Sequence, residues 1–463
     1  MNLLDTIAAI STPYGKGGIA VIRISGAEAI SVAERMFSPK NKKPLSELPG
    51  NRAVYGSIYA NKDGDRVAID DGIAVAFRAP ASFTGDDTVE ISCHGGVLLT
   101  QRVLESALLS GARLATAGEF TRRAFINGKM TLTSAEALGE LLSASTDEQI
   151  SLARSGLKGK LSDEISRIYN SLCDVLAAIY AHIDYPDEDL ADISREEMLD
   201  IANKNLLALK RLAATYTTGH AVGEGISTAI VGRTNAGKST LYNLIVGRDA
   251  AIVTDIEGTT RDILTESAKL GKVTLRLSDT AGLRETGDRV ESIGIERAKR
   301  EAESAELILA VFDGSRTPDR EDEEFCEYLA TLGGKKIAIV NKSDKGITDE
   351  MKALVNGFDH SIPFSAESGA GFDRLASTVE EIYIDSSLDM GQSAIIANAR
   401  QNTALLSAIS TLAEAIDAIG NELPLEVCCV EIENALSCLG ELDGRTVSED
   451  IISKIFANFC VGK

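Results

Sequence analysis

Gly232, Gly237, Lys238 and Ser239 stand in the spacing G-x-x-x-x-G-K-S, after the apolar run STAIV and before a helical pattern. Strand, glycine loop and helix in that order make a phosphate cradle. The glycines let backbone N–H groups from Asn235 and Ala236 through to Thr240 wrap the phosphates, and the helix start adds its dipole. Lys238 reaches the β/γ oxygens as the catalytic cation, and the Ser239 hydroxyl suits Mg²⁺. Further on, Asp279-Thr280-Ala281-Gly282 follows the apolar run VTLRLS. There Asp279 can hold magnesium through water, and the Gly282 N–H can face a γ-phosphate. Asn341-Lys342-Ser343-Asp344 follows KIAIV. The Asp344 carboxylate matches the N1 and N2 donors of guanine, whereas adenine would leave it unpaired. Ser365-Ala366, after SIPF, is placed to touch the guanine O6 through backbone. Each element is weak alone, and the ordered set implies GTP as ligand.

Between the glycine loop and Asp279 lies TDIEGTTRD, running from Thr254, Asp255, Ile256, Glu257 and Gly258 to Thr259 and Thr260. One threonine there would complete the magnesium shell and sense the γ-phosphate. After the Asp279 element, Leu283 occupies the place where many such switches carry a water-orienting glutamine. Leucine neither donates nor accepts, so hydrolysis needs another group or a partner. The neighbouring Arg233 and Arg284 read as solvated charges rather than arginine fingers.

These loops need elements to hold them. Residues 221–384 alternate apolar runs with helical patterns, which predicts an inserted, Ras-like, doubly wound P-loop domain with a parallel sheet. Residues 1–118 read as mixed α/β, with strands in DTIAAIST and GGIAVIRIS and a helix over VLLTQRVLESALL. From 119 to 220 the texture becomes helical. Leu161, Ile165, Ile168, Leu172, Val175, Ile179 and Ile183 form one stripe, Tyr185-Pro186 breaks it, and GHAVGEG reads as a linker. In 385–463 a second stripe runs through Leu405, Ile409, Leu412, Ile416 and Ile419. The two helical stretches are expected to pack as one bundle, because lone amphipathic helices gain little until paired. The fold class is therefore multidomain α/β plus all-α.

The chain has 463 residues and a formal net charge of −22, so it repels phosphate backbones unless basic patches or a partner hold them. It contains no run of 18 apolar residues, and its start lacks a signal-peptide pattern. No membrane association and a cytoplasmic location are expected. Seven cysteines without CxxC pairs support neither a disulfide framework nor a zinc site.

The set DTIAAIST, GGIAVIRISG, SFTGDDTVEISCHGG, GEFTRRAFINGK, GRTNAGKSTL, DIEGTTRD, DTAG, NKSD and the terminal FCVGK resembles the MnmE (TrmE) family from end to end. One departure is Thr234, where the family usually has proline. The resemblance implies a folate-binding N-terminal domain that forms a homodimer, a helical domain and an inserted G domain. It also implies a flavoprotein partner, MnmG (GidA), in a heterotetramer or larger complex, with tRNA held mainly through that partner. The implied reaction places a carboxymethylaminomethyl or aminomethyl group on C5 of the wobble uridine. The one-carbon unit would come from 5-formyl- or methylene-tetrahydrofolate, and GTP hydrolysis would depend on Mg²⁺ and K⁺.

By resemblance, Thr260 rather than Thr259 is the magnesium ligand beside Ser239. Asn235 is the potassium ligand, with carbonyls of Thr254, Ile256 and Thr259 completing the cage. Glu291 positions the attacking water. Arg23, Glu90, Lys129 and Lys463 contact the folate. Cys460 lies near the chemistry as nucleophile, acid–base or redox group. Without the resemblance, Asn235 could be a turn residue, Glu291 a helix-start carboxylate, Arg23 and Glu90 a pair on an edge strand, and His94 a structural residue. Docking of FCVGK on the N-terminal domain, through Ile452, Ile455 and Phe456 of the preceding helix, is expected. A ribosome-assembly GTPase of the Era/EngA type is the alternative, and a folate enzyme with a regulatory G domain is a third possibility.

Overall fold

The computed structural model describes residues 5–62, 65–184, 194–248, 265–278, 300–457, 459 and 461–462. By internal contacts the chain divides into two compact units, Met1–Gly139 with Ser437–Lys463, and Glu140–Leu436.

The first unit is built on a seven-stranded sheet in the order β3-β4-β5-β6-β2-β1-β7. Its elements are β1 (Ile7–Ile10), β2 (Ile19–Ser25), α1 (Ala29–Met36), β3 (Phe37–Pro39), β4 (Ala53–Lys62), β5 (Asp65–Phe77), β6 (Thr88–His94), α2 (Val97–Leu109), β7 (Arg113–Leu114), α3 (Glu119–Ile126) and α4 (Leu132–Ser143). Strand alternation puts Ala20, Ile22, Ile24, Val89, Ile91 and Cys93 on one face, where they are buried with Ala29, Val32, Ala33, Val103 and Ala107 of α1 and α2. The other face carries Arg23 and Glu90, directly opposite one another on β2 and β6. These are central strands, so the expected edge pair is in fact an interior cross-strand pair. His94, at the end of β6, is exposed and its Nδ1 lies 2.8 Å from Asp70 Oδ1.

The second unit contains α5 (Asp147–Leu157), α6 (Lys160–Asp184), α7 (Arg195–Ala214), α8 (Tyr216–Val222), β8 (Ile226–Gly232), α9 (Lys238–Arg248), β9 (Thr265–Leu270), β10 (Val273–Ser278), β11 (Leu307–Asp313), α10 (Arg320–Thr331), β12 (Lys335–Asn341), α11 (Asp349–Val355), β13 (His360–Pro363), α12 (Phe372–Tyr383), α13 (Ala399–Gly420) and most of α14 (Leu425–Asp443). The sheet order is β13-β12-β11-β8-β10-β9, parallel throughout except for the β9–β10 hairpin. Chain order reverses at β8, which opens a crevice beyond its carboxyl end.

The α6 stripe is buried from Leu161 to Ile179. In α13 the buried line is Ala404, Leu405, Ala408, Leu412, Ala415, Ala418 and Ile419, while Ile409 and Ile416 are half-buried. The small alanines let α13 approach α7, whose Met198, Ala202, Leu209 and Leu212 are also buried. By length and composition α13 could cross a membrane, but its buried line belongs to this helical packing. The expected linker GHAVGEG is largely helical, because α8 runs through Val222. Gly219 of α8 lies so close to the returning chain that a Cβ would sit 2.1 Å from the Ile396 carbonyl oxygen. The last helix, α15 (Glu449–Ala457), belongs to the first unit, where Ile452 and Phe456 pack with Leu132, Ala135 and Phe125.

Candidate functional site

Buried β8 delivers the chain to the glycine loop between two parallel neighbours, and α9 starts at Lys238. Two glycines are required by crowding. A Cβ on Gly232 would lie 2.4 Å from the Val311 carbonyl oxygen, and one on Gly237 would lie 2.0 Å from Asn341 Nδ2. Asn235 takes a left-handed φ of 63°, which asparagine tolerates better than most residues. The Lys238 ammonium is held 2.9 Å from the Arg233 carbonyl oxygen. Burial pushes its pKa down, and among the described residues it has no carboxylate partner. A desolvated cation without a counter-ion makes this loop a site for an anion.

Asn341 ties three loops together. Its Nδ2 donates to the Ala236 carbonyl oxygen at 2.8 Å, and its Oδ1 accepts from the Ala366 N–H at 2.9 Å. That N–H, read from sequence as a contact for O6, is therefore already engaged. Lys342 adopts φ 60° and its ammonium sits 2.6 Å from Asp313. Burial raises the Asp313 pKa, but hydrogen bonds from Lys342 and Ser315 outweigh it and leave the pKa lowered. Asp313 escaped the sequence reading. The available signal was the end of the apolar strand LILAVF, which β-sheet register places opposite Asn341. Asp344 accepts a hydrogen bond from Ser365 Oγ at 2.7 Å, which orients one carboxylate oxygen and leaves the residue exposed.

These loops enclose a cleft of about 300 Å³ lined by Asn235, Gly237, Lys238, Ser239, Thr240, Asn341, Lys342, Asp344, Ser365 and Ala366, with Lys345 and Glu367 added by the fold. Phosphate groups would meet Lys238 and a base would meet Asp344. The hydroxyl of Ser239 and the amide of Asn235 offer hard oxygen donors at the same wall, which fits Mg²⁺ and K⁺ chemistry. Arg233, expected to be solvated, is instead bound to Asp319, Glu321 and Asp322 at the start of α10. Thr254, Asp255, Ile256, Glu257, Gly258, Thr259, Thr260, Asp279, Thr280, Ala281, Gly282, Leu283, Arg284, Glu291, Cys460 and Lys463 lie outside the described residues.

In the first unit, Arg23 Nε donates to Glu90 Oε1 at 2.9 Å. The Arg23 guanidinium also lies 5.4 Å from the Phe83 ring centre and 5.6 Å from that of Phe120. Lys129 Nζ is 2.9 Å from the Pro80 carbonyl oxygen. The C-terminal tail reaches this unit's sheet. Val461 bridges to Ala117, and Ser11 Oγ donates to the Gly462 carbonyl oxygen at 3.1 Å. Gly462 has φ 101°, and a Cβ there would lie 2.2 Å from the Ile10 carbonyl oxygen, so only glycine permits this docking. Register pairs Ala9 with Arg23 and Ile10 with Ile22, which puts the tail one strand away from the arginine.

Comparison with known proteins agrees with this architecture. Residues 6–129 match the family described as "GTP-binding protein TrmE N-terminus", and residues 132–460 match "MnmE helical domain". The chain is 37% identical over 462 residues to the tRNA modification GTPase MnmE of Carboxydothermus hydrogenoformans, covering 99% of both chains. It is 40% identical over 461 residues to that of Symbiobacterium thermophilum, again covering 99% of both. It is 38% identical over 465 residues to that of Clostridioides difficile, covering 100% of both. Among solved structures, Era of Aquifex aeolicus bound to GDP and aluminium fluoride is 26% identical over 40% of this chain and 65% of that chain, with a TM-score of 0.27. The full-length identities and the two family matches lead to one conclusion: the chain belongs to the MnmE (TrmE) family of tRNA modification GTPases.

Proposed function

We propose that this chain hydrolyses GTP to drive, together with an MnmG flavoprotein, addition of a carboxymethylaminomethyl or aminomethyl group to C5 of the wobble uridine of certain tRNAs. The observation that carries the reading is the half-buried Lys238 ammonium, without a carboxylate partner among the described residues, in a cleft whose other end presents an oriented Asp344. On nucleotide binding, Lys238 exchanges the Arg233 carbonyl oxygen for β/γ oxygens. Asp344 accepts the N1–H and N2–H of guanine while the Ser365 hydroxyl keeps its orientation. Ser239 and Thr260 would hold Mg²⁺, which would neutralise charge on the phosphates. Asn235 would hold K⁺ with carbonyls of Thr254, Ile256 and Thr259, and positive charge held there would take the part that an arginine finger plays elsewhere. Glu291 positions the attacking water.

The first unit takes a reduced folate, 5-formyl- or methylene-tetrahydrofolate, against Arg23, Glu90, Lys129 and Lys463, with the chain working as a homodimer. Cys460 lies beside the one-carbon group. The docked Val461 and Gly462 support this reading, since they hold the flanks of Cys460 and Lys463 against the sheet that carries Arg23.

The deciding experiment is nucleoside analysis of tRNA from a strain lacking this chain. The modified wobble uridine should disappear, return with the wild-type chain and stay absent with Lys238→Ala. Intact tRNA modification accompanied by defective ribosomal particles would replace this reading with a ribosome-assembly role.

A further inference from the structure

A basic surface stands out on this acidic chain. Against the overall net charge of −22, residues 35–60 hold Arg35, Lys40, Lys42, Lys43 and Arg52, with Glu47 as the only acid. All five basic residues are exposed. Lys40 of this surface is 3.3 Å from Asp71, and several arginines elsewhere in the first unit are neutralised within it. Arg23 is bound to Glu90, Arg102 to Glu105, Arg113 to Asp5 and Glu119, and Arg123 to Asp5 and Glu119. Lys42, Lys43 and Arg52 have no ion pair among the described residues.

The loop that carries them is anchored at both ends. Pro39 pairs with Gly56, and the Lys40 N–H donates to the Tyr55 carbonyl oxygen at 3.0 Å. At the far end the Asn51 N–H donates to the Ala76 carbonyl oxygen at 2.8 Å. Lys42 and Asn51 hold left-handed φ values of 58° and 62°, uncommon for residues other than glycine. Arg78 straps the middle, donating to the carbonyl oxygens of Leu45 at 3.1 Å and Ser46 at 2.9 Å. Leu45 is buried, so the apolar content of the loop faces inward and the cations face water. Tyr55, 54% exposed, lies beside them with the Lys40 ammonium 5.9 Å from its ring centre. Tyr59 carries the Arg66 guanidinium 4.2 Å from its ring centre.

We propose that this β3–β4 basic surface makes a direct contact with the phosphate backbone of the tRNA substrate. The proposal rests on the tRNA-modification reading above. Charge complementarity selects the occupant. An acidic chain must concentrate its cations locally to hold a polyanion, and unpaired lysines and arginines release counterions when they meet phosphates. Exposed tyrosine beside cations suits bases and sugars, because every base offers a π-face. A lipid surface would favour outward leucine or phenylalanine, and here Leu45 and Phe37 are buried.

The test uses the full chain and an unmodified tRNA transcript with uridine at the wobble position. Binding is followed by fluorescence anisotropy from 50 to 200 mM KCl, set only as the range over which such affinities change by about 10³–10⁵ when many phosphates are engaged. The triple variant Lys42→Gln, Lys43→Gln, Arg52→Gln should weaken binding roughly tenfold and flatten the plot of log K against log[salt] by about 2 to 3. Arg320→Gln with Lys352→Gln, on the other unit, should change neither quantity. Basal GTP hydrolysis should be unchanged in both variants.

An affinity and salt slope equal to the wild type's would overturn the proposal. So would a full chain that does not bind the transcript, or a triple variant that loses binding only to phosphatidylglycerol vesicles. The tRNA-modification reading fails on a separate result, namely a deletion strain whose wobble uridine remains modified.

Discussion

The nucleotide cleft and the Arg23 region handle charge in opposite ways. In the cleft, Lys238 is half-buried with only the Arg233 carbonyl oxygen as a described partner, so a ligand anion need displace no described carboxylate. On the N-terminal sheet, Arg23 is already bound to Glu90 at 2.8 Å and flanked by two phenyl rings. An anionic ligand there must share the guanidinium with Glu90, while a ligand with N–H donors can use both members of the pair. The cleft is thus built for strong, charge-driven capture of phosphate. The sheet pair could serve a ligand that presents donors and acceptors together, and the pterin ring of the proposed folate is one. A difference in mechanism follows from whether the protein neutralises its own charge before the ligand arrives.

The largest expected effect tests the cleft lysine. Lys238→Ala should lower kcat/KM for GTP by about 10²- to 10³-fold, the scale of removing one preorganised transition-state donor. Steady-state hydrolysis, with thermal melting to show retained fold, measures it. A loss below tenfold would mean that backbone N–H groups carry the phosphate alone.

The next effect concerns the second cation of the cleft. Hydrolysis should be faster in K⁺ than in Na⁺ at equal ionic strength, and Asn235→Ala should abolish the difference. Equal rates in the two salts for the wild-type chain would remove potassium from the mechanism.

A smaller effect is expected on the sheet. Arg23→Ala should weaken binding of 5-formyl-tetrahydrofolate roughly tenfold, as for loss of one hydrogen bond to a charged group. Glu90→Gln keeps the shape but frees the arginine. If the self-neutralised pair is the recognition element, both substitutions reduce affinity in calorimetry. If Glu90→Gln tightens binding, the ligand uses the guanidinium as a bare cation and the contrast with the cleft disappears.

The smallest effect comes from a self-neutralised cluster with no assigned ligand. His220 of α8 is held 2.9 Å from Glu224 and 2.9 Å from Glu306. Hydrogen bonds donated by its protonated ring, to Glu224 first and Glu306 second, raise its pKa to about 9. A pKa raised on folding contributes stability that is complete below the ordinary histidine value and is lost as pH rises through about 9. The melting temperature of the wild type should therefore fall more steeply between pH 7 and pH 10 than that of His220→Gln, by roughly 3 °C. Parallel curves would show that the cluster stores no charge-dependent stability.

Read as sequence, the cleft was visible because its parts are local. A glycine loop, N-K-S-D and S-A each sit at the carboxyl end of a recognisable apolar strand, and chemistry at strand ends survives uncertainty about the rest of the fold. The α6 stripe and the α2 helix were equally legible, since their periodicity lies within one element. What sequence could not supply were relations between distant residues. Asn341 looked like a nucleotide contact, and only packing shows it clasping Ala236 and Ala366. Arg233 looked solvated, yet the start of α10 brings three carboxylates to it. In α13 the isoleucines drew the eye, but close approach to α7 favours the alanines, because backbone proximity rewards small side chains.

The residues therefore determined which chemistry is available: a phosphate loop, a carboxylate suited to guanine donors, and an acidic chain with local runs of base. Tertiary structure decided which charges are free to use it. Whether a cation is paired depends on what the fold brings within about 4 Å, a distance over which Coulomb attraction and desolvation compete. No linear spacing encodes that for Lys238, which has no carboxylate partner among the described residues, or for Arg23, which faces Glu90 across two central strands.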